Sequence, residues 1–114
     1  MDDKKCFTDC RSSTGEIIPV TPKETDKELA VFAKALAHPA RIQILRILAQ
    51  RTACVCGDIV VQVGLAQSTV SEHLRILKAA GLIIGEVSGP RVCYCIDRDV
   101  FDRFRRLFSE LFVE

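Results

Sequence analysis

The segment GLAQSTVSEHLRILKAAGLI, residues 64–83, constrains this chain more than any other. Val70, Leu74 and Leu77 recur at intervals of four and three, the spacing of one helix face. Gln67, Ser68, Ser71, Glu72, Arg75 and Lys78 fall on other faces. The spacing predicts a helix from about Gln67 to Ala80, stopped by Gly81 at its C-terminal cap. Ahead of it, Ala53 to Val63 reads as a short helix ending at Gly64, which leaves Gly64-Leu65-Ala66 as a brief turn. Two helices joined so tightly, the second with a dry face and a hydrogen-bonding face, form a helix-turn-helix pattern.

The flanking segments fit around that pattern. Residues 1–24 lack helical periodicity and read as a flexible N-terminal arm; residues 25–114 read as one domain. Asp26 is positioned to cap a helix carrying Leu29, Phe32, Ala33 and Leu36. After His38, Pro39 suits the first turn of a second helix. That helix carries Ile42, Ile44, Leu45, Ile47 and Leu48, is apolar almost all round, and reads as the central core helix. Leu82–Val87 and Arg91–Ile96 flank Ser88-Gly89-Pro90 and read as a β-hairpin, a wing placed directly after the recognition helix. Asp97 then caps a last helix striped with Val100, Phe101, Phe104, Leu107, Phe108, Leu111 and Phe112. No later element covers that stripe, so a second copy of the chain is the expected cover. The expected fold is mainly α with a small β-hairpin (α+β): a winged helix-turn-helix, dimeric through its terminal helices.

A helix that enters the major groove needs short polar side chains near its N-terminus. Gln67, Ser68, Thr69 and Ser71 supply them, and Arg75, Lys78 and the wing residue Arg91 supply phosphate contacts. Glu72 and His73 complete the DNA-facing set, His73 as a hydrogen-bonded structural residue near that face. The formal net charge is only +1, but residues 29–91 hold seven bases against three acids. Double-stranded DNA is the expected partner. The polar N-terminus lacks the apolar stretch of a secretion signal, and no run spans a bilayer, so a cytoplasmic protein without a membrane partner is expected.

Six cysteines fall in three close pairs, Cys6/Cys10, Cys54/Cys56 and Cys93/Cys95. In a reducing compartment they are free thiols or metal ligands rather than disulfides. Cys54-Val55-Cys56 stands at the front of the expected third helix, where a helix N-terminus raises the thiolate fraction. Thiolates suit As(III), Sb(III), Cd(II) or Pb(II). On a regular helix residues two apart point about 200° away from each other, so both thiols hold one ion only if the helix start is distorted. Cys93 and Cys95, two apart on a strand, share a side and offer either a second site or packing under the wing.

The runs ALAHPARIQILRIL, CVCGDIV, GLAQSTVSEHLRILKAAGLI and GPRVCYCI resemble the ArsR/SmtB metalloregulatory repressors over about residues 28–96. The resemblance implies a homodimer that binds an inverted-repeat operator upstream of resistance genes and is released by its effector. It places Cys54 and Cys56 among arsenite and antimonite sensors, or cadmium and lead sensors. The arsenite pattern continues with a third thiol five residues after the first. Here Ile59 holds that position, so the third ligand must come from Cys6, Cys10, Cys93 or Cys95, the first two by the arm crossing to a partner. A zinc site on the last helix is disfavoured, because residues 98–113 hold no His. The alternative signal is thiol oxidation or persulfide formation at a cysteine pair. A CxxC motif in a βαβ setting, a catalytic triad order and a phosphate loop are all missing, so an enzyme is not expected and no organic cofactor is implied. A winged helix that serves protein contacts alone is the remaining alternative.

Overall fold

A computed structural model of the chain describes residues 18–56 and 58–112. Cys6, Cys10 and most of the expected arm lie outside the described residues. The elements run α1 (Glu24–Ala35), α2 (Pro39–Ala49), β1 (Val55–Cys56), α3 (Asp58–Val63), α4 (Gln67–Ala79), β2 (Ile83–Ser88), β3 (Arg91–Ile96) and α5 (Arg98–Glu110). The three strands form one antiparallel sheet in the order β1-β3-β2.

Helix α1 starts at Glu24, and Lys23 rather than Asp26 occupies its N-cap position. Asp26 still serves the helix start: its carboxylate accepts from the Lys23 backbone N–H at 2.9 Å. The reaching-back carboxylate is the N3 half of a capping arrangement. His38 caps α2, its Nδ1 accepting from the Ala40 N–H at 3.0 Å, with Pro39 in the first turn. Helix α2 is the expected centre of the core. Ile44 and Leu48 are fully buried, and Val70, Leu74 and Leu77 of α4 pack with Leu82 and Ile83 into the same cluster. Helix α5 closes it through Leu107, and Phe104 meets Phe32 of α1 edge-on at 5.7 Å.

The expected helix over Ala53–Val63 is not what forms. Its first part is the short strand β1, and the helix is confined to Asp58–Val63. The physical reason lies forty residues downstream. Strand β3 offers an unpaired edge, and Val55 and Cys56 pair with its Tyr94 and Cys93. Alternation then puts Val55 into the core, 5% exposed, and leaves the flanking cysteines on the opposite face. A β-branched residue between two cysteines suits that role better than a helix start.

Two glycines frame the helix-turn-helix. Gly64 has φ 74° and its N–H reaches the Val60 carbonyl at 3.1 Å, ending α3. Gly81, φ 84°, follows α4: Gly81 N–H bonds to Lys78 O at 2.9 Å, and Leu82 N–H bonds to Leu77 O at 3.1 Å. That pair of bonds is the Schellman motif. It reverses the chain so that β2 leaves α4 and becomes the first wing strand.

Candidate functional site

Helix α4 divides by exposure as its sequence pattern requires. Gln67, Ser68, Thr69, Ser71, Glu72, Arg75 and Lys78 are exposed, while Val70, Leu74 and Leu77 face the core. The polar side chains therefore lie on the accessible side of the first two turns, where free N–H groups also favour a phosphate. Arg91 is exposed at the wing turn. Between α4 and the wing runs a cleft of about 570 Å³ bordered by Gln67, Ser71, Pro90 and Arg91, with Tyr94 at its side. The structure thus brings the candidate base-reading residues and the candidate wing contact to one opening. Glu72 and Arg75 pair with each other, Arg75 Nε donating at 2.9 Å, which holds the Glu72 carboxyl below its ordinary range. A phosphate must compete with that carboxylate for Arg75. Lys78 lies over the wing, its Nζ next to Gly85 of β2.

His73 departs from the DNA-facing set. It is 7% exposed and turned inward, so its burial offers no contact to a base or phosphate. Arg41 Nε donates to His73 Nδ1 at 3.2 Å, and the His38 ring lies tilted against it with the ring centroids 4.4 Å apart. The same Arg41 guanidinium donates to the carbonyls of Lys34 and Ala35 at 3.2 and 3.3 Å. One side chain therefore ties the end of α1 to the recognition helix. Burial, followed by the charges of His38 and Arg41, pushes the His73 pKa down. Arg41 was not among the sequence candidates. A charged residue in the first turn of an otherwise apolar helix was the available signal, but its partner is 32 residues away.

The cysteines carry the larger correction. Cys54 and Cys56 are not at a helix start, so a helix N-terminus does not activate them. They flank Val55 in and beside β1, and residues two apart on a strand share a face. The β1–β3 register sets Cys56 opposite Cys93, and Val55 opposite Tyr94. Cys54 then stands opposite Cys95. The Sγ atoms of Cys54 and Cys95 are in bonding contact, as are those of Cys56 and Cys93, with Cα–Cα distances of 4.4 and 4.2 Å. Four sulfurs therefore converge on the outer face of the sheet. Glu86 of β2, opposite Cys93 on that face, adds a carboxylate 3.4 Å from Cys54 Sγ. Cys93 is 3% exposed beneath its neighbours, and the other three are partly exposed. Among the described residues no group of three or more His, Cys, Asp or Glu is disposed to hold a metal ion. By chemistry the donor set suits a soft, thiophilic ion. Ile59, at the position of the missing third thiol, is buried in the core.

A helix-turn-helix whose second helix bares a polar N-terminal face beside a β-wing defines the class of winged helix-turn-helix transcriptional regulators. Comparison with known proteins narrows the class. Residues 38–84 match the family described as bacterial regulatory protein, arsR family. The chain is 41% identical over 73 residues to the HTH-type transcriptional repressor SmtB of Mycobacterium tuberculosis, a match covering 64% of this chain and 53% of that repressor. It therefore spans about half of that relative's length. An HTH-type transcriptional regulator of Methanocaldococcus jannaschii is 35% identical over 89 residues, covering 77% of this chain and 99% of the relative. Among solved structures, the homodimeric winged helix-turn-helix DNA-binding domain of a possible ArsR-family regulator from Mycobacterium bovis superimposes with a TM-score of 0.62 at 28% identity, covering 82% of this chain and 90% of that one. The chain belongs to the arsR family of bacterial regulatory proteins. Among the described residues no helix is long and apolar enough to cross a membrane.

Proposed function

We propose that this chain is a homodimeric, cytoplasmic DNA-binding repressor that leaves its operator when cysteine thiolates capture As(III) or Sb(III), with Cd(II) and Pb(II) as the alternative soft ions. The observation that carries this reading is the convergence of Cys54 and Cys56 with Cys93 and Cys95 where β1 meets the wing strand. On this reading the third thiol that the Cys54-Val55-Cys56 run lacks comes from Cys93 or Cys95 of the same chain.

The location links capture to DNA binding. Strand β1 leads directly into the helix-turn-helix, and β3 is half of the wing. Three thiolates around one ion need their sulfurs farther apart than paired sulfurs stand, so capture shifts β1 against β3. The cleft between α4 and Arg91 then changes shape, and the two half-site readers of a dimer lose their spacing. A second copy is the fitting cover for Phe108, Leu111 and Phe112, which are 52%, 55% and 75% exposed along one side of α5 and its end.

The test is a titration of the reduced chain on a fluorescent duplex taken from upstream of its own gene. Arsenite should release the duplex in a saturable step. Cys54→Ser and Cys56→Ser chains should bind the duplex as the native chain does and stay bound. If both still release DNA normally on arsenite, these thiols are not the sensor.

A further inference from the structure

We propose that Cys54–Cys95 and Cys56–Cys93 form a pair of redox-closed cross-strand locks, which a hydroperoxide shuts and which leave the protein on its operator but unable to answer a soft ion. The inference rests on the reading of these thiols as the effector site and adds a second input to it.

In an antiparallel ladder the closely spaced positions, about 4.5 Å between Cα atoms, alternate with wider ones and bring facing side chains nearest each other. The Cα distances of 4.4 and 4.2 Å put both cysteine pairs at close positions, with Val55 and Tyr94 between them. Val55 and Tyr94 turn the other way and pack on the core, so a one-residue slip, which turns the cysteines off this face, would pull Val55 out of it. Bridging within Cys54/Cys56 or Cys93/Cys95 is opposed by the same pleat, since each pair straddles a residue held on the core side.

Cys54, Cys56 and Cys95 are partly exposed, so each cross-strand pair has at least one member that a small oxidant reaches. One thiol takes oxygen from hydrogen peroxide, giving a sulfenic acid and one water. The facing thiol then attacks that sulfur, the S–S bond forms, and the hydroxyl leaves with a proton as a second water. Each pair loses two electrons and two protons to one peroxide, so the two locks consume two peroxides.

Consequence follows from position. The bridges span 41 and 37 residues and enclose all of α3, α4 and β2. They close with the helix-turn-helix and wing already in the winged-helix arrangement. Oxidation therefore leaves the DNA-facing surface in place, removes the thiolates an ion needs, and ties β1 to β3 against the shift that releases DNA.

The experiment uses the full chain carrying Cys6→Ser and Cys10→Ser, treated with hydrogen peroxide and compared with its reduced form. Non-reducing peptide mass mapping should find Cys54 joined to Cys95 and Cys56 to Cys93. Operator affinity of the oxidised protein should stay within about twofold of the reduced protein. Arsenite should release only the reduced form, and dithiothreitol should restore release. Bridges of any other connectivity, or loss of the operator on oxidation, overturns the lock. Release of the oxidised protein by arsenite also overturns it, whereas arsenite that fails to release even the reduced protein sinks the soft-ion reading and the blocked response with it, leaving connectivity and operator binding to decide whether the bridges close.

Discussion

At the residue scale the least expected assignment belongs to Arg41 and His73. A buried imidazole on the recognition helix accepts from a guanidinium that also holds the C-terminal carbonyls of α1. His73 must be neutral at Nδ1 to accept that bond. Burial first, then His38 and Arg41, keep its pKa below the ordinary 6.5, with Glu72 opposing them. The unfolded chain takes up a proton near pH 6.5 that the folded chain refuses until a lower pH. The unfolded state therefore binds more protons in that window. The contribution of neutral His73 is complete above it and is lost as pH falls toward the folded pKa. Urea midpoints measured at about pH 7.5 and about pH 5.5 should fall with pH in the native chain and fall less in His73→Gln. An equal fall in both would assign the acid sensitivity elsewhere.

At the element scale, α4 and the wing form the proposed DNA-facing surface, and Gly81 joins them. Its φ of 84° is left-handed, and a Cβ there would meet only Val100 at 4.0 Å, so the obstacle is backbone conformation rather than crowding. Gly81→Ala should lower stability by about 1–2 kcal/mol in denaturant titration, without a new core defect. Within the proposed interface, side chains divide by what they touch. Gln67→Ala and Ser71→Ala should weaken operator binding more than binding to random duplex, because they remove base-edge contacts. Arg91→Ala should weaken both and make the plot of log affinity against log salt less steep by about one unit. Unchanged salt dependence after Arg91→Ala would take the wing off the phosphate backbone. Strand β1 shows the limit of local reading. Cys54-Val55-Cys56 sits in a window that reads helical, yet a two-residue pairing with the wing wins, because it buries Val55 and satisfies backbone groups on the β3 edge.

At the scale of the whole molecule, α5 is only half used. Phe101, Phe104 and Leu107 close the core, and the Arg103–Glu28 ion pair fastens α5 to α1. That pair is exposed to solvent, which screens it, so it adds little to stability. Phe108, Leu111 and Phe112 remain bare, and α5 ends there. The double substitution Phe108→Glu with Phe112→Glu should yield a folded monomer in sedimentation velocity. Its affinity for a palindromic duplex should drop by about 100-fold, since each half-site is then bound alone. A dimer that survives both changes would place the subunit contact elsewhere. The thiol cluster belongs to this scale as well, because it joins the strand before the helix-turn-helix to the wing that follows it.

Local pattern was enough to place α1, α2, α4 and α5, the glycine-bounded turn, the wing and the dry stripe of α4, but not β1. Each of these is written in periodicity within a dozen residues, and apolar spacing is a local property that burial only ratifies. The sequence also marked Cys54, Cys56, Cys93 and Cys95 as two close pairs, the four sulfurs that the fold brings together. Tertiary structure alone decided which sulfurs meet. The partner of Cys54 lies 41 residues on, and the partner of Cys56 lies 37 residues on, at distances no window of helical or strand periodicity can span. It also turned His73 away from the DNA side toward Arg41, a choice set by packing between α2 and α4 rather than by the polar pattern of either helix.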